Sequence, residues 1–233
     1  MTHRFFVADE PVDDVVLGGD QARQMASVLR LVPGDRVTFV RDGIEALVVL
    51  DAVGAREVRG HVVERRPVDA EPRVWLTLAV PMLRGERTEE VIEATTQLGV
   101  ARFVPFVASR SVVRDLAPAK LERWRRIARE SAETARRGRI PSVDPAREWE
   151  ALFAVLEPPV VVAWEGEVTA RLGDIPATRQ LSLVIGPEGG LSAAEMGLAR
   201  QQGATAVSLG RRNLRSETAA IAAVAQVIAQ LDA

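Results

Sequence analysis

The alternation of apolar and polar positions changes character near residue 70 of this 233-residue chain. Before it, apolar positions come in short runs: HRFFV, RVTFV, EALVVLDAV and EVRGHVVE, divided by the turn sequences PGD and RDG. Runs of this length, rich in β-branched and aromatic residues and bounded by glycine turns, predict strands of a small barrel or sandwich over residues 1–68. One stretch, DQARQMASVLRL, has helical spacing instead. RRPVDAEPR, residues 65–73, carries two prolines and mixed charge and reads as a linker. From residue 74 the texture is different. VWLTLAV, ARFVPFVA, PVVVAW, LSLVIG and AVSLG read as buried strands. ERTEEVIEATTQLG, APAKLERWRRIARESAETARRG, SAAEMGLARQQG and SETAAIAAVAQVIAQLDA read as helices between and after them. Leu121, Trp124, Ala128 and Ser131 share one face of the long helix, and Gly99 stops the first one. Strand–helix alternation predicts an α/β domain over 74–233 with a mainly parallel sheet covered on both faces.

Composition narrows the chemistry. There is no cysteine, so disulfides, thiolate nucleophiles and cysteine–zinc sites are excluded. His3 and His61 are isolated in sequence and are expected to be structural or on the surface; no metal is expected. No apolar run approaches the roughly 20 residues of a membrane helix, and MTHRFFVADE does not read as a signal peptide, so a cytoplasmic protein is expected. Net charge is −2, which argues nothing about nucleic acid, but its distribution does. From Arg110 to Pro141 there are ten cations and four anions. Pairs such as Glu122–Arg126 at i,i+4 would absorb part of this charge. Arg136, Arg137 and Arg139 lie beyond the last acid and are expected to be free for phosphate.

Ligands of open α/β sheets bind outside the carboxyl ends of strands. Two strand–loop–helix corners qualify. Gly186-Pro187-Glu188-Gly189-Gly190 follows LSLVI, and Ser192 with Glu195 forms a capping box for the next helix. Gly210-Arg211-Arg212-Asn213-Leu214-Arg215 follows AVSL and runs into the final helix at Ser216. Neither G-x-G-x-x-G nor G-x-x-x-x-G-K-[ST] occurs, and Glu188 inside the first loop suits a ligand with a positive centre better than a polyphosphate.

LVIGPEGGLSAAE together with SLGRRNLRSETAAIAA resembles the paired signature of the SPOUT RNA methyltransferases, and more narrowly the 16S ribosomal RNA uracil-N3 methyltransferases, the ribosomal RNA small subunit methyltransferase E family. HRFFV and VLRLVPGD resemble that family's N-terminal PUA-like barrel, and EEVIEATTQLGVARFVPFVASRSVV and ERWRRIARESAETARRGRIP its first helix–strand unit and basic helix. The resemblance implies a C-terminal trefoil knot within about residues 160–220, S-adenosylmethionine as cofactor and a homodimer that includes the last helix. It places the cofactor among Trp164, Ile185, Gly186, Glu188, Gly189, Gly190, Leu209, Gly210, Asn213 and Leu214, with Gly189 and Gly190 letting backbone approach the adenosine. The implied substrate is 16S ribosomal RNA, naked or in the assembled small subunit. Arg215 would stabilise charge on the uracil oxygens, and Glu217 would accept a proton or position a donor. RNA contacts would come from Arg4, Arg30, Arg110, Arg136, Arg137 and Arg139. Ala94, Gln97, Thr134 and Gln24 depart from the family's usual lysine, glutamate, glutamine and histidine, all outside the cofactor loops. A ribose 2′-hydroxyl as acceptor, or an RNA-binding module without catalysis, are the competing readings.

Overall fold

The structure, a computed structural model, describes residues 2–232 and separates into two compact units. The first contains the chain up to Glu71 together with Ala132–Ile140. The second contains Pro72–Ser131 and the chain from Pro141 onward.

In the first unit β1 (His3–Phe6), β2 (Asp14–Gly18), β3 (Arg36–Arg41), β4 (Ile44–Val53) and β5 (Glu57–Pro67) form a sheet in the order β1-β3-β4-β5-β2. Only the β1–β3 pairing is parallel. β2 has no counterpart among the runs picked out by pattern. It is a half-exposed edge strand, DVVLG, with too little apolar content to stand out. The helical stretch splits into α1 (Gly19–Arg23) and a π-helical turn, Gln24–Val28. It seats Ala22 and Met25 on Phe5, Val37, Phe39, Val48 and Leu50. The stretch read as a linker is partly strand, because Arg65, Arg66 and Pro67 pair with Ala46, Glu45 and Ile44.

Residues 132–140 complete this unit. Ala132 packs with Phe6 and Val40, flanked by Val68 and Ile140. Glu71 accepts hydrogen bonds from Arg137 Nε (3.2 Å) and Nη2 (2.8 Å) and from the amides of Gly138 (2.8 Å) and Arg139 (3.2 Å). Arg4 pairs with Glu45 and donates to the Arg137 carbonyl at 3.0 Å. Burial pushes the Glu45 carboxyl up, but hydrogen bonds from Arg4 and Arg66 outweigh it and hold it below the usual carboxylate range.

The second unit runs β6 (Trp75–Pro81), α2 (Arg87–Leu98), β7 (Arg102–Val107), α3 (Pro118–Thr134, within this unit to Ser131), β8 (Ser142–Val143), β9 (Arg147–Glu148), α4 (Trp149–Leu152), β10 (Val160–Ala163), a 3-10 turn (Leu172–Asp174), β11 (Gln180–Ile185), α5 (Ala193–Gln201), β12 (Thr205–Val207) and α6 (Ser216–Leu231). The sheet order is β12-β10-β11-β6-β7-β8, with β9 also on β7, and every pairing is parallel. Alternation along each strand assigns the two faces. Leu76, Leu78, Phe103, Leu183 and Val207 pack with Ile92, Trp124, Ala128, Ala220 and Val224 of α2, α3 and α6. Ala79, Val104, Phe106, Val162 and Val184 pack with Trp149, Leu152, Met196 and Ala199 of α4 and α5. α2 ends as its sequence predicts. Gly99 has φ +114°, and a Cβ there would lie 2.3 Å from Pro72 Cγ. On α3 the local pairs differ from the expected Glu122–Arg126. Arg125 takes Glu122 at 2.5 Å, and Arg126 is left with Glu130 at 3.9 Å.

Candidate active site

Strands β11, β10 and β12 are neighbours, so their carboxyl ends bring residues 186–191, 164–167 and 208–215 side by side. The loops are fastened to each other. Trp164 Nε1 donates to the Leu191 carbonyl at 3.1 Å, and the Trp164 amide donates to Val207 at 3.0 Å. The Arg200 guanidinium stacks 5.4 Å from the Trp164 ring centre. Ser208 donates its amide to Ala170 at 2.8 Å. The sequence-derived set of Trp164, Gly186, Glu188, Gly189, Gly190, Leu209, Gly210, Asn213 and Leu214 therefore occupies one rim of the sheet. The Ile185 side chain lies in the core at 2% exposure, so only its backbone can face a ligand. Gly190 closes a turn by donating to Pro187 at 2.8 Å with φ +67°, a conformation that favours glycine.

Gly189 is also crowded from within the protein. A Cβ on Gly189 would lie 2.8 Å from Arg110 Cβ and 3.1 Å from the Arg110 carbonyl oxygen. The close approach there is made by Arg110, whose Nη1 donates back to the Gly189 carbonyl at 3.1 Å. The loop after β7 is also held from below. Glu195 accepts from the Ser109 amide at 2.7 Å with Oε1, and from the Ser192 amide and hydroxyl, both at 2.7 Å, with Oε2. Burial pushes the Glu195 carboxyl up, yet these hydrogen bonds hold it below its ordinary value. The capping box read from the sequence is thus present, with a further task that sequence spacing could not show.

A second missed residue is Arg87, at the first position of α2. Its Nη1 lies 3.4 Å from Glu188 Oε1 and its Nε 3.9 Å from Glu217 Oε1. The Arg84 amide also donates to Glu188 Oε1, at 3.3 Å. Glu188 lies in the loop after β11 and Glu217 in the first turn of α6, so Arg87 joins the two corners that the sequence singled out. Glu217 Oε2 is buried with no hydrogen-bond partner. Arg215, extended at the N-cap of α6, is exposed. Among the described residues no group of three or more His, Cys, Asp or Glu side chains could hold a metal ion, and no helix is long and apolar enough to cross a membrane.

The arginines expected to bind RNA fall into two classes. Arg30 and Arg136, both with positive φ, and Arg110 are exposed. Arg4 and Arg137 are not available: the Arg4 side chain is 8% exposed against Glu45, and that of Arg137 is 2% exposed against Glu71. Arg139 is half exposed and also reaches Glu71, at 3.3 Å. This corrects the expectation for Arg137 and Arg139, while Arg136 stays exposed. The acid that the two share stands at position 71, outside any local charge count.

Residues 70–228 match the family model described as an RNA methyltransferase domain. The chain is 32% identical over 228 residues to ribosomal RNA small subunit methyltransferase E of Bacillus subtilis (strain 168), covering 92% of this chain and 89% of that protein. It is 35% identical over 225 residues to the protein of the same name from Mycobacterium bovis, covering 91% and 85%. A putative methyltransferase of Legionella pneumophila, solved in complex with the cofactor SAM, superposes with a TM-score of 0.89 at 26% identity over 98% of both chains. Ribosomal RNA small subunit methyltransferase E from Neisseria gonorrhoeae, solved bound to S-adenosyl methionine, shares the fold with a TM-score of 0.90 at 24% identity, over 99% of this chain and 98% of that one. With its rim of loops and a match over nearly its whole length, the chain belongs to the ribosomal RNA small subunit methyltransferase E family of RNA methyltransferases.

Proposed function

We propose that this chain methylates N3 of a uridine in 16S ribosomal RNA, with S-adenosylmethionine as methyl donor. The observation that carries the reading is the joining of the two loop corners, 186–191 and 208–217, through Arg87, with a buried carboxylate oxygen of Glu217 left unpartnered beside them. A ligand with positive charge and N–H donors fits an acceptor of that kind, and phosphate does not. When bound, S-adenosylmethionine supplies a methyl group on a positively charged sulfur. Trp164, the backbone of residues 185–190, and Leu209, Gly210, Asn213 and Leu214 would hold it at the strand ends. Uracil N3 carries a weakly acidic proton, which must leave as the N–CH₃ bond forms. Glu217 would accept that proton or orient its donor, and Arg215 would face the negative charge that develops on the uracil oxygens.

The finer architecture belongs to the same reading. The first unit would be a PUA-like RNA-binding barrel. A trefoil knot would arise where residues 164–179 enclose the chain that follows β12. Its support is the bonding of that loop to later residues: Ser208 to Ala170, and Gln230 Nε2 to Gly173 (3.1 Å) and Ile175 (2.9 Å). We take the enzyme to be cytoplasmic and to act as a homodimer on 16S ribosomal RNA, naked or in the assembled small subunit. Mass spectrometry of 16S ribosomal RNA from a deletion strain, before and after treatment with the protein and S-adenosylmethionine, tests the reaction. One added methyl on a uracil base is expected. A methyl on ribose, or none, overturns it.

A further inference from the structure

We propose that the carboxyl-end rim of the parallel sheet grips the RNA strand through arginines that the fold leaves without acid partners, in two groups on either side of the loops after β10 and β11. The proposal rests on the methyltransferase reading above and adds where the substrate lies.

The loop after β6 contributes Arg84, the loop after β7 Arg110 and Arg114, and the loop after β12 Arg211, Arg212 and Arg215. All six are exposed, and among the described residues none makes an ion pair. Arg110 and Arg114 donate only to backbone carbonyls, of Gly189 and Ser109. Four acids of the same rim are already engaged. Glu86 is taken by Arg123, Glu188 and Glu217 by Arg87, and Glu167 by Arg200 and by the amides of Thr169 and Ala170. Glu165 and Asp115 remain exposed. The basic run that dominates the sequence behaves in the opposite way. Arg123, Arg125 and Arg126 of α3 all have acid partners. In a chain of net charge −2, one rim of this unit thus carries six exposed arginines without acid partners.

Strand order turns this into a path. β12 and β7 are separated by β10, β11 and β6. At about 4.8 Å per strand spacing, their loops lie roughly 19 Å apart. Two cationic groups at that separation suit a polymer of repeated phosphates rather than one small anion. A single strand crossing from Arg211 and Arg212 to Arg84, Arg110 and Arg114 passes over the loops after β10 and β11. Phosphate contacts on both flanks fix its register, while one unstacked base between them reaches the methyl donor.

The test is a variant carrying Arg84→Ala, Arg211→Ala and Arg212→Ala, which leaves Arg110 and Arg215 in place. Its binding is measured against unmodified small ribosomal subunits and their extracted 16S RNA at two salt concentrations. RNA affinity should fall by tenfold or more. The slope of log affinity against log salt should flatten by about 0.7 per lost contact, roughly 2 in all. Cofactor affinity by calorimetry and the melting temperature should not move. Arg212→Ala alone should flatten the slope by about 0.7. Arg123→Ala with Arg126→Ala on α3 is the control and should leave both affinity and slope unchanged. Wild-type RNA affinity and slope in the rim variant, from a protein whose wild type methylates, overturn the surface and leave the reaction standing. An equal loss in the α3 control overturns it as well. A wild-type chain that binds cofactor but neither binds nor methylates RNA removes the methyltransferase reading and the surface with it.

Discussion

Arg87 is the residue on which the two candidate loops converge, and its side chain is 41% exposed while that of Glu217 is 13% exposed. Replacing it with Ala leaves the carboxylates of Glu188 and Glu217 without their shared cation. Part of the pair energy is screened at this exposure. The effect should therefore appear in the site's geometry more than in global stability. Arg87→Ala should lower kcat/KM by about tenfold, equivalent to about 1.4 kcal/mol, with a raised KM for S-adenosylmethionine and an unchanged melting temperature. Arg87→Lys should recover part of the loss, because a cation still reaches both acids. Equal kinetics in wild type and Arg87→Ala would show the contact to be incidental. Arg87 was not legible for a simple reason: its partners are about 100 and 130 residues away, and the local sequence RTEEV offers only Glu89 at i+2 and Glu90 at i+3. Glu188, Gly189 and Gly190 were legible because a loop between a strand and a capped helix shows in local sequence. The occupant of the space beside Gly189 was not legible, since Arg110 arrives from another strand end.

At the scale of elements, the start of α5 does more than cap a helix. Glu195 accepts from its own N-cap and from the loop after β7, so one carboxylate sets the spacing of two site loops. Its pKa is depressed in the folded state. The stability it confers is therefore full above the unfolded value, about 4.3, and is lost as pH falls through the lower folded value. Glu195→Gln should cost about 1–3 kcal/mol at pH 7, and the deficit should shrink in acid below about pH 4.3. Denaturant titrations of both proteins at neutral and acid pH measure this. A deficit independent of pH would mean that the charge is not what holds Ser109 and Ser192. The long strands and helices were readable because their periodicity is strong, including the buried face of α3 at Trp124, Ala128 and Ser131. β8, β9 and α4 escaped, being two to four residues long. β12 begins at Thr205 and ends at Val207, ahead of the Ser208-Leu209-Gly210 that the apolar run had included.

For the whole molecule, the parallel sheet and its two covered faces followed from the order of elements, as expected of strand–helix alternation. Oligomeric state is less direct. α6 turns Ala219, Ala220, Ala223, Val224 and Val227 into its own core, which accounts for most of its apolar character. Thr218, Ala222 and Ala229 stay exposed, small side chains able to meet a second copy closely. The proposed homodimer should sediment at about twice 25.3 kDa at micromolar concentration. A monomer that still methylates would reject it.

The clasp of Arg137 and the 138–139 amides on Glu71 has a consequence for synthesis. When Glu71 leaves the ribosome, every strand of the first unit exists, but Phe6 and Val40 still lack Ala132, and Glu71 still lacks its cation. The missing piece arrives only with residues 132–140. At ~5–20 residues per second the delay is on the order of 10 s. Through that interval the nascent first unit waits with an open apolar seam. Its folding is timed by the emergence of a helix that begins in the other unit, and a fragment ending at Glu71 would keep that seam permanently.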